Sequence, residues 1–384
     1  MTGALEIVFW LSLTAIIWTY AGYPALLYIL SALQHRTIRS RPIEPSVTLI
    51  IAAYNEEKGI AAKLQNSLKL DYPPEKLQIL VASDCSTDGT HAIVRSFPGV
   101  ELLALPERGG KTAAQNAAVA AARGEIVIFT DASTEFEADM PRRLMEKFAD
   151  PRVGCVGAEL EYVTEEGSAI GRGNHAYWRY EKKVKEMEAA VNTLIGVSGC
   201  LYAVRRSLYR DIAPDMISDF VISPEIYSRR HITVYGQGVV SREKTLENAA
   251  QEFSMRVRIA VRTINALIRY GHMLNPLRYG FFSVQLFSHK VLRYLVPHLL
   301  LFMLLSSCVL AVTAGSRQLL YQFLLIPQFA VYGGALLGWL AQQRGWRIRG
   351  VHIPFYFIEV NLAAFWALIL YLGGERKTIW TPIR

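Results

Sequence analysis

Carboxylates and other polar residues follow three apolar runs of the sequence, directly where each run ends. Tyr54 and Glu56 follow VTLIIAA, Asp84 follows LQILVAS, and Asp131 follows IVIFT. A single carboxylate after a strand is a common cap or turn former. Three such ends in one domain favour a ligand site instead, where carboxylates can accept hydrogen bonds or bind a cation.

The elements that must position these residues alternate between strand and helix. Runs rich in Val, Ile and Leu predict four strands: Val47–Tyr54, Leu77–Ser83, Val100–Leu105 and Glu125–Thr130. Helical stretches lie between them, over Glu57–Lys69 and Lys111–Ala122. This order predicts an α/β domain with a mainly parallel sheet. Ligands of such sheets bind beyond the carboxyl ends of the strands, which is where the polar residues stand.

The segment RGGKTAAQN contains GGKT, which also ends the Walker A phosphate loop. A Walker A loop needs glycine at residue 105, and this chain has Leu105 there. The motif therefore does not indicate a P-loop.

Apolar residues are concentrated at the two ends of the 384-residue chain, which is 52% hydrophobic and 19% charged, with a mean hydropathy of +0.20. The run from Leu5 to Leu33 has one charged residue, Glu6, and is long enough to cross about 30 Å of hydrocarbon. No Lys or Arg precedes it, so a retained anchor is expected rather than a signal peptide. Three further spans are predicted: Val296–Thr313, Leu319–Leu340 and Ile353–Leu372.

Positive charges indicate which connecting segments are cytosolic. They follow the first span and separate the last two: Arg36, Arg39, Arg41, Arg344, Arg347 and Arg349. The central domain is therefore expected on the cytosolic side of a membrane, most simply the bacterial inner membrane. Strict alternation puts the C-terminal tail outside with Lys377 and Arg384, against the same rule, and leaves the side of the tail open.

The segment before the second span is amphipathic. Arg278, Gln285, His289 and Arg293 fall within about 80° of one another on a helical wheel. A helix in the membrane interface is expected, with an ordinary helix packed on a soluble core as the alternative. The predicted organisation is an anchor over 1–35, a cytosolic domain over 42–272, an interfacial helix over 275–295, three spans over 296–373 and a tail over 374–384.

The net charge of +8 fits a membrane surface, because much of the basic surplus borders the predicted spans. No basic-aromatic tract or helix-turn-helix pattern indicates a nucleic-acid partner. The four cysteines, Cys85, Cys155, Cys200 and Cys308, lack the spacing of a zinc site or a redox pair and are expected to be free thiols.

The string VTLIIAAYNEE…ILVASDCSTDGT…RGGKTAAQNAAVAAARGEIVIFTDAS resembles the nucleotide-sugar half of the family 2 glycosyltransferases. More narrowly, the chain is similar to their membrane-embedded members, such as the bacterial cellulose, hyaluronan and poly-N-acetylglucosamine synthases. The resemblance implies a GT-A-like α/β fold combined with transmembrane helices. The nucleotide-sugar site is then expected to include the following residues: Ala53, Tyr54, Glu56, Asp84, Lys111, Asn116, Asp131, Ala132 and Ser133.

The resemblance also assigns roles to two of these acids. Asp84 matches the acid that hydrogen-bonds a uracil ring, and Asp131 matches the first Asp of a D-x-D motif that holds Mg²⁺ or Mn²⁺ against the donor diphosphate. This chain departs from the motif, because the second acid is Ser133. Asp131 is therefore the one metal ligand predicted, with Glu135 as a conceivable helper.

On the acceptor side, SGCLYAVRRSLYRDIAPDMISDF resembles the family's acceptor strand and the catalytic acid that follows it. The family's T-E-D reads here as ISD, which makes Asp219 the predicted general base of an inverting transfer. A helix-capping Asp is the alternative. The acceptor site is expected to include Ser198, Gly199, Cys200 and, as a stacking surface, Trp178, for which a place in the core is the alternative.

Processive relatives carry Q-x-x-R-W, and QEFSMRVRIAVR departs from it. Arg258, or second Arg256, is predicted to meet the diphosphate. Neither has Gln three residues earlier, and Ile259 stands where Trp would follow. Arg258, Arg262 and Arg269 lie within about 40° on a helix, a cationic face that could equally meet lipid phosphate.

These features predict an inverting membrane glycosyltransferase that transfers a sugar from a nucleotide sugar, expected to be a UDP-sugar, to a growing surface glycan. One alternative is non-processive transfer of one sugar to a polyprenyl-phosphate or lipid-linked acceptor. Another is an inactive membrane scaffold, for which Ser133 and the lost Gln and Trp argue. Four spans are few for a wide channel, so an export partner or a homo-oligomer is a further expectation.

Overall fold

An eight-stranded mixed sheet forms the centre of the α/β part of the chain. The computed structural model describes residues 2–34, 36–163, 169–244, 249–346, 348 and 350–376, without the side chains of 169–176, 244 and 249. The strands are β1 (Val47–Ala53), β2 (Leu77–Ser83), β3 (Val100–Ala104), β4 (Ile126–Asp131), β5 (Glu135–Phe136), β6 (Val153–Val163), β7 (Leu201–Arg205) and β8 (Ile232–Lys244). Their order in the sheet is β3-β2-β1-β4-β7-β6-β8-β5.

The four strands predicted from the sequence form the parallel half of the sheet, β3-β2-β1-β4. β7 then pairs antiparallel with β4 and with β6, while β6 and β8 are parallel. Every residue of β1 is buried. Its odd-numbered residues, such as Leu49 and Ile51, join one apolar cluster, and Ile50 joins another on the opposite face. A strand covered on both faces has to be apolar throughout, which explains the unbroken run VTLIIAA.

The helices cover the sheet and continue into the apolar ends of the chain. They are α1 (Thr2–Ile17), α2 (Tyr23–Leu33), α3 (Ile60–Leu68), α4 (Thr90–Arg95), α5 (Lys111–Ala121), α6 (Met140–Lys147), α7 (Ala169–Val191), α8 (Ser218–Ser228), α9 (Ala249–Arg269), α10 (Pro276–Tyr279), α11 (Phe281–Leu286), α12 (Leu292–Thr313), α13 (Gln318–Gln343) and α14 (His352–Leu372). One π-helical turn joins α1 to α2 and another joins α11 to α12.

Four helical segments of the described residues are long and apolar enough to cross a membrane: Thr2–Leu33, Phe281–Thr313, Gly315–Gln343 and His352–Leu372. They contain the four spans predicted from the sequence. Their orientation stays a prediction, and so does the side of the tail, whose residues 377–384 lie outside the described residues together with Arg347 and Arg349.

The segment expected to be one interfacial helix is divided at Gly280, which has a φ of +57°. Its polar residues beyond this break are buried against protein. Gln285 donates a hydrogen bond to the Thr193 carbonyl at 3.0 Å, and His289 lies between Glu188 and Glu181 of α7. This is the arrangement of the alternative, a helix packed on the domain, and a place in the membrane interface stays a prediction.

Candidate active site

The carboxyl ends of β2, β1 and β4 lie side by side at one edge of the sheet. Ala52 near the end of β1 is paired with Asp131, the last residue of β4, and β2 flanks β1 on the other side. Beyond the ends of β1 and β2, Asn55 and Cys85 have φ values of 50° and 58°. This left-handed region is costly for residues other than glycine, and such backbone is concentrated at ligand sites.

Asp84 holds the loop that follows β3. Its buried carboxylate accepts hydrogen bonds from the backbone N–H of Gly109 at 2.8 Å and of Gly110 at 3.0 and 3.1 Å. The Nε of Arg108 is 3.8 Å from its Oδ2, and the Asp84 backbone N–H donates to the carbonyl of Ala53 at 2.9 Å. Asp84 therefore fixes the glycine turn that leads into α5.

An aromatic ring and a guanidinium stack beside this carboxylate. The Arg108 guanidinium lies 3.6 Å from the centroid of the Tyr54 ring, a cation–π contact. Glu56 is buried in the following turn, and its backbone N–H donates to Thr90 Oγ1 at 2.8 Å. A flat stack next to a buried hydrogen-bonding acid is chemically suited to a planar heterocycle.

Lys111, the first residue of α5, joins Asp131 to the acceptor-side loop. Its Nζ forms an ion pair with Asp131 and donates to the carbonyl of Gly199 at 3.2 Å. Burial lowers the pKa of Lys111, but Asp131 together with Cys200 and Asp219 acts in the opposite direction, and the net pKa is raised. Lys111 is therefore a fixed cation at the centre of the site.

The structure adds Glu243 of β8, a residue not foreseen from the sequence. Ser133 Oγ donates to Glu243 Oε1 at 3.2 Å, and Cys200 Sγ donates to Glu243 Oε2 at 2.7 Å. One ligand atom each from Asp131, Cys200 and Glu243 lies within 4.8 Å of the others. Ser133 thus does not replace the missing acid itself, but it holds a second carboxylate near Asp131.

This donor set fits a divalent cation. Two carboxylates suit Mg²⁺ or Mn²⁺, and burial together with the Asp131 carboxylate raises the pKa of Glu243, a sign of two acids in close proximity. The pKa of the Cys200 thiol is raised well above its usual value by burial and by Glu243. The thiol is thereby kept protonated and donates to Glu243. Glu135, the helper considered from the sequence, is exposed and does not belong to this group.

A buried lysine supports the loop that carries Asp131. Lys63 Nζ donates to Thr130 Oγ1 at 3.0 Å and to the carbonyl of Thr134 at 2.5 Å, and it lies 4.0 Å from the Phe136 ring centroid. Burial lowers the pKa of Lys63 to about 7. Ala132 is buried in the same core. Sequence reasoning missed Lys63, because a lysine in an amphipathic helix is usually solvated.

Asp219, in the first turn of α8, faces the acceptor-side loop. A β-carbon built on Gly199 would lie 2.6 Å from Asp219 Oδ2, and the backbone N–H of Val197 donates to the Asp219 carbonyl at 2.9 Å. Burial raises the pKa of Asp219, while Lys111 is the largest of the cations that act in the opposite direction. Ser198 and Cys200 flank Gly199 and are both buried. The predicted base and the predicted acceptor loop are therefore in contact.

The arginines of α9 have different surroundings. Arg258 is partly buried, and the Asp131 carboxylate raises its pKa against a larger lowering by burial. Arg262 is buried and donates to Thr112 Oγ1 at 2.7 Å and to the carbonyls of Pro214 and Met216 at 3.0 and 2.5 Å. Arg258 thus lies within electrostatic reach of Asp131, whereas Arg262 ties α9 to the loop before Asp219. The predicted cationic face is therefore divided, and Arg269 at its far end is exposed.

Arg256, the second choice for the diphosphate, contacts Glu252 and Tyr356. Its guanidinium donates to Glu252 Oε1 at 3.2 and 2.5 Å and to the hydroxyl of Tyr356 in α14. It also lies 4.8 Å from the Tyr356 ring centroid. These contacts attach α9 to a candidate membrane helix.

Trp178 of α7 is half-buried beside Tyr162 of β6, with ring centroids 5.3 Å apart. Its indole Nε1 is buried and finds no hydrogen-bond acceptor among the residues that the structure describes.

Asn116 has a different set of partners from that expected of a nucleotide-sugar contact. Its Nδ2 donates to the carbonyl of Ile212 at 2.8 Å, and its Oδ1 accepts from the Tyr209 hydroxyl at 2.8 Å and from the Ile212 N–H at 3.1 Å. Asn116 therefore positions the turn that precedes Asp219.

Comparison with known proteins gives a family match over the part of the chain that carries the strand-end acids and the acceptor loop. Residues 48–213 match the model of the family described as Glycosyl transferase family 2. The chain is 32% identical over 138 residues to a beta-monoglucosyldiacylglycerol synthase of Synechocystis, which is 34% of this chain and 29% of that protein. It is 27% identical over 201 residues to a poly-beta-1,6-N-acetyl-D-glucosamine synthase of Staphylococcus aureus, which is 49% of this chain and 47% of that protein. The chain thus matches less than half the length of either relative.

A solved structure is similar over almost the whole chain. It is a mannosyltransferase of Pyrobaculum calidifontis in complex with GDP-Man and Mn²⁺, with a TM-score of 0.71 and 21% sequence identity, and the superposition covers 97% of this chain and 99% of that one. The GT-A-like α/β fold expected from the sequence is thereby confirmed, and the similarity extends through the apolar helices.

Proposed function

We propose that this chain, whose residues 48–213 match glycosyltransferase family 2, is an inverting glycosyltransferase that uses a nucleotide-sugar donor at a membrane. One observation carries the proposal. Asp131 is joined through Lys111 to the acceptor loop at Gly199, Asp84 holds the glycine turn directly before Lys111, and the acceptor loop lies against Asp219. The proposed donor site and the proposed base therefore both adjoin the loop at Gly199.

The nucleotide occupies the edge beside β1 and β2. Tyr54 and Arg108 offer a flat surface to the base, and Asp84 stands next to this surface as an acceptor for ring N–H groups. Glu56 and Ala53 shape the turn beneath the base. A UDP-sugar is the donor expected from the family resemblance, and the mannosyltransferase with a similar fold was solved with a guanosine nucleotide, so both donors belong in the test.

The diphosphate lies at the end of β4. Asp131 and Glu243 are the residues that would hold a divalent cation, which supplies positive charge to the departing diphosphate when bound. Lys111 and Arg258 supply fixed positive charge at the same place. Because Lys111 is held by Asp131 and by the Gly199 carbonyl, it needs little reorganisation when charge develops on the diphosphate.

Asp219 accepts the proton of the acceptor hydroxyl as its oxygen attacks the anomeric carbon of the donor sugar. The bond from that carbon to the diphosphate oxygen breaks, the nucleoside diphosphate leaves, and the new glycosidic bond has the inverted configuration. Burial raises the pKa of Asp219, which makes it a stronger base than an exposed carboxylate. Ser198, Gly199 and Cys200 form the wall behind the acceptor, with Trp178 and Tyr162 as a stacking surface at its side.

The acceptor is a growing surface glycan in the reading that we favour, made at the cytosolic face of a bacterial inner membrane. The alternative is one transfer to a polyprenyl-phosphate or lipid-linked acceptor. Membranes that contain the enzyme separate the two readings, because a ladder of oligosaccharides supports the synthase and a single organic-extractable product contradicts it. An export partner or a second copy stays an expectation of the synthase reading.

The decisive experiment screens UDP- and GDP-sugars for nucleoside diphosphate release by the purified full chain, with and without Mn²⁺. We expect one donor to be turned over, and Asp219→Asn to abolish transfer while donor binding is retained. Full activity of Asp219→Asn would refute the base assignment. No turnover of any donor, despite binding of one, would favour the inactive scaffold.

A further inference from the structure

Cys200 is the third member of the group that contains Asp131 and Glu243. Its Sγ lies within 4.8 Å of one ligand atom from each carboxylate, and it donates a hydrogen bond to Glu243 Oε2 at 2.7 Å. Mg²⁺ and Mn²⁺ prefer oxygen ligands, whereas sulfur suits softer cations. The thiol therefore gives the group a ligand that neither Mg²⁺ nor Mn²⁺ requires.

Sheet pairing places the three side chains close together. Leu201, the first residue of β7, is paired with Thr130 of β4 in an antiparallel register. Cys200 and Asp131 continue that register as the next pair of residues. Glu243 lies in β8, opposite Tyr162 of β6. Because three strands of one sheet position the group, little conformational entropy is lost when a cation binds to it.

The group is shielded from solvent to different degrees. Cys200 is only 8% exposed, whereas the Asp131 side chain is 18% exposed and Glu243 is partly exposed. The sulfur is thus the least exposed of the three ligand groups. A cation from solvent can reach the carboxylates and contact the sulfur on its inner side.

The charges of the group balance when a divalent cation is bound to a thiolate. The cation takes the place of the thiol proton on sulfur, and that proton is released to solvent. The two carboxylates and the thiolate then carry three negative charges. A divalent cation and the ammonium of Lys111, which is paired with Asp131, carry three positive charges. A neutral thiol would leave the same group with a surplus positive charge, which is unfavourable where burial is high.

We propose that Asp131, Cys200 and Glu243 form a site for a thiophilic divalent cation of the Zn²⁺ class, which binds there more tightly than Mn²⁺. This inference rests on the proposed function, because it concerns the same cation site. Zn²⁺ binds thiolate and carboxylate ligands in a tetrahedral arrangement, and three protein ligands leave a fourth position for water or a phosphate oxygen. A given set of ligands also binds Zn²⁺ more tightly than Mn²⁺ as a rule.

A cation bound to all three residues connects the two sides of the site. Asp131 ends β4 on the donor side, and Cys200 belongs to the acceptor loop at residues 198–200. Gly199 of this loop lies against Asp219. Zn²⁺ therefore competes with Mn²⁺ for the carboxylates and also anchors the loop beside the proposed base, which a cation bound to the carboxylates alone does not do.

The test uses Co²⁺ as a spectroscopic probe and Zn²⁺ as a competitor. The purified full chain is titrated with Co²⁺, and a sulfur-to-cobalt charge-transfer band in the near ultraviolet reports a bond to thiolate. Zn²⁺ affinity is measured by displacement of Mn²⁺, followed by the electron paramagnetic resonance of free Mn²⁺. The variants are Cys200→Ser and Cys200→Ala. The matched control is Cys308→Ser, which removes an exposed thiol, and thermal unfolding shows that each variant is folded.

We expect the charge-transfer band in the wild type and in Cys308→Ser, and its loss in both variants of Cys200. Zn²⁺ should bind to the wild type more tightly than Mn²⁺. Each variant of Cys200 should weaken Zn²⁺ binding by about a hundredfold, since one ligand is lost. Mn²⁺ binding should stay close to that of the wild type, because the carboxylates remain.

Displacement of Mn²⁺ by Co²⁺ without the band in the wild type would overturn the inference, and this result requires no variant. Loss of the band in Cys308→Ser would assign it to the exposed thiol and would overturn the inference as well, as would unchanged Zn²⁺ affinity in both variants of Cys200. Donor turnover with Mn²⁺ is measured separately on the wild type. Its failure would count against the proposed function, whereas the results above would leave that function standing.

Discussion

The Cα of Gly199 stands so close to the carboxylate of Asp219 that a β-carbon at residue 199 would lie 2.6 Å from Oδ2 and 3.4 Å from Cγ. Asp219 is thus held in a position that only glycine at residue 199 leaves free. The glycine, which the sequence suggested as part of the acceptor wall, also decides where the proposed base points.

Gly199→Ala is therefore expected to displace the Asp219 carboxylate. A misplacement of about 1 Å in a reacting group lowers rates by up to about a hundredfold, so kcat should fall by about tenfold to a hundredfold with little change in donor KM. Steady-state kinetics with the identified donor measure this. Gly196→Ala is the matched control from the same loop, because its β-carbon would meet its nearest atom, the Cα of Phe220, at an ordinary 3.5 Å. Equal losses in both variants would contradict the steric explanation.

The metal site gives a second prediction. Glu243→Gln should weaken Mn²⁺ binding by about tenfold, because it removes one of two carboxylates from the ligand group. Binding is followed by the electron paramagnetic resonance of free Mn²⁺, which does not depend on turnover. Glu135→Gln removes an exposed acid from the same end of the sheet and should bind Mn²⁺ like the wild type.

A rescue variant sharpens the test of Glu243. Ser133→Asp added to Glu243→Gln restores a second acid at the D-x-D position and should recover most of the Mn²⁺ affinity. If Glu243→Gln bound Mn²⁺ normally and Glu135→Gln did not, the helper considered from the sequence would be the ligand instead.

Glu243 is a site residue that could not be predicted from the sequence. The strand-end acids could be predicted because the alternation of strand and helix patterns in the sequence indicates β1, β2 and β4. The carboxyl ends of parallel strands lie at one edge of the sheet. Glu243 comes 110 residues after Ser133. It reaches the site because β8 pairs antiparallel with β5, with Glu135 opposite Arg242. A two-residue strand such as β5 gives no pattern that would predict this pairing.

The segment 275–295 shows a second limit, which concerns burial rather than pairing. A helical wheel identifies the polar stripe of this segment. It does not show whether the stripe contacts water, lipid headgroups or the polar face of another helix. Glu181 and Glu188 of α7 supply that second face. Both residues lie in α7, a helix in which only Trp178 was predicted from the sequence to be a site residue.

The pH dependence of the reaction depends on Asp219. The general base has to be ionised, and burial raises its pKa above the ordinary value of about 3.9. Activity should therefore fall on acidification at a pH above that value. Lys185 lowers the pKa of Asp219, so Lys185→Gln should move the acidic limb of the kcat profile to higher pH. The profile is measured at saturating acceptor, and Lys183→Gln should leave it in place. A limb that moves to lower pH in Lys185→Gln would contradict the assignment of Asp219 as the base.

The last prediction separates two arginines that are one turn apart on α9. Arg262→Met removes the donor to Thr112 and to the carbonyls of Pro214 and Met216, and a buried polar group left without a partner costs about 1–3 kcal/mol. It should lower the thermal unfolding temperature and the activity together, since it loosens the loop before Asp219.

Arg258→Met removes a cation that interacts with Asp131. It should weaken binding of the nucleoside diphosphate product by about tenfold while the unfolding temperature changes little. Thermal unfolding and product inhibition measured on both variants distinguish these effects, and a large loss of stability in Arg258→Met would show that both arginines hold the fold.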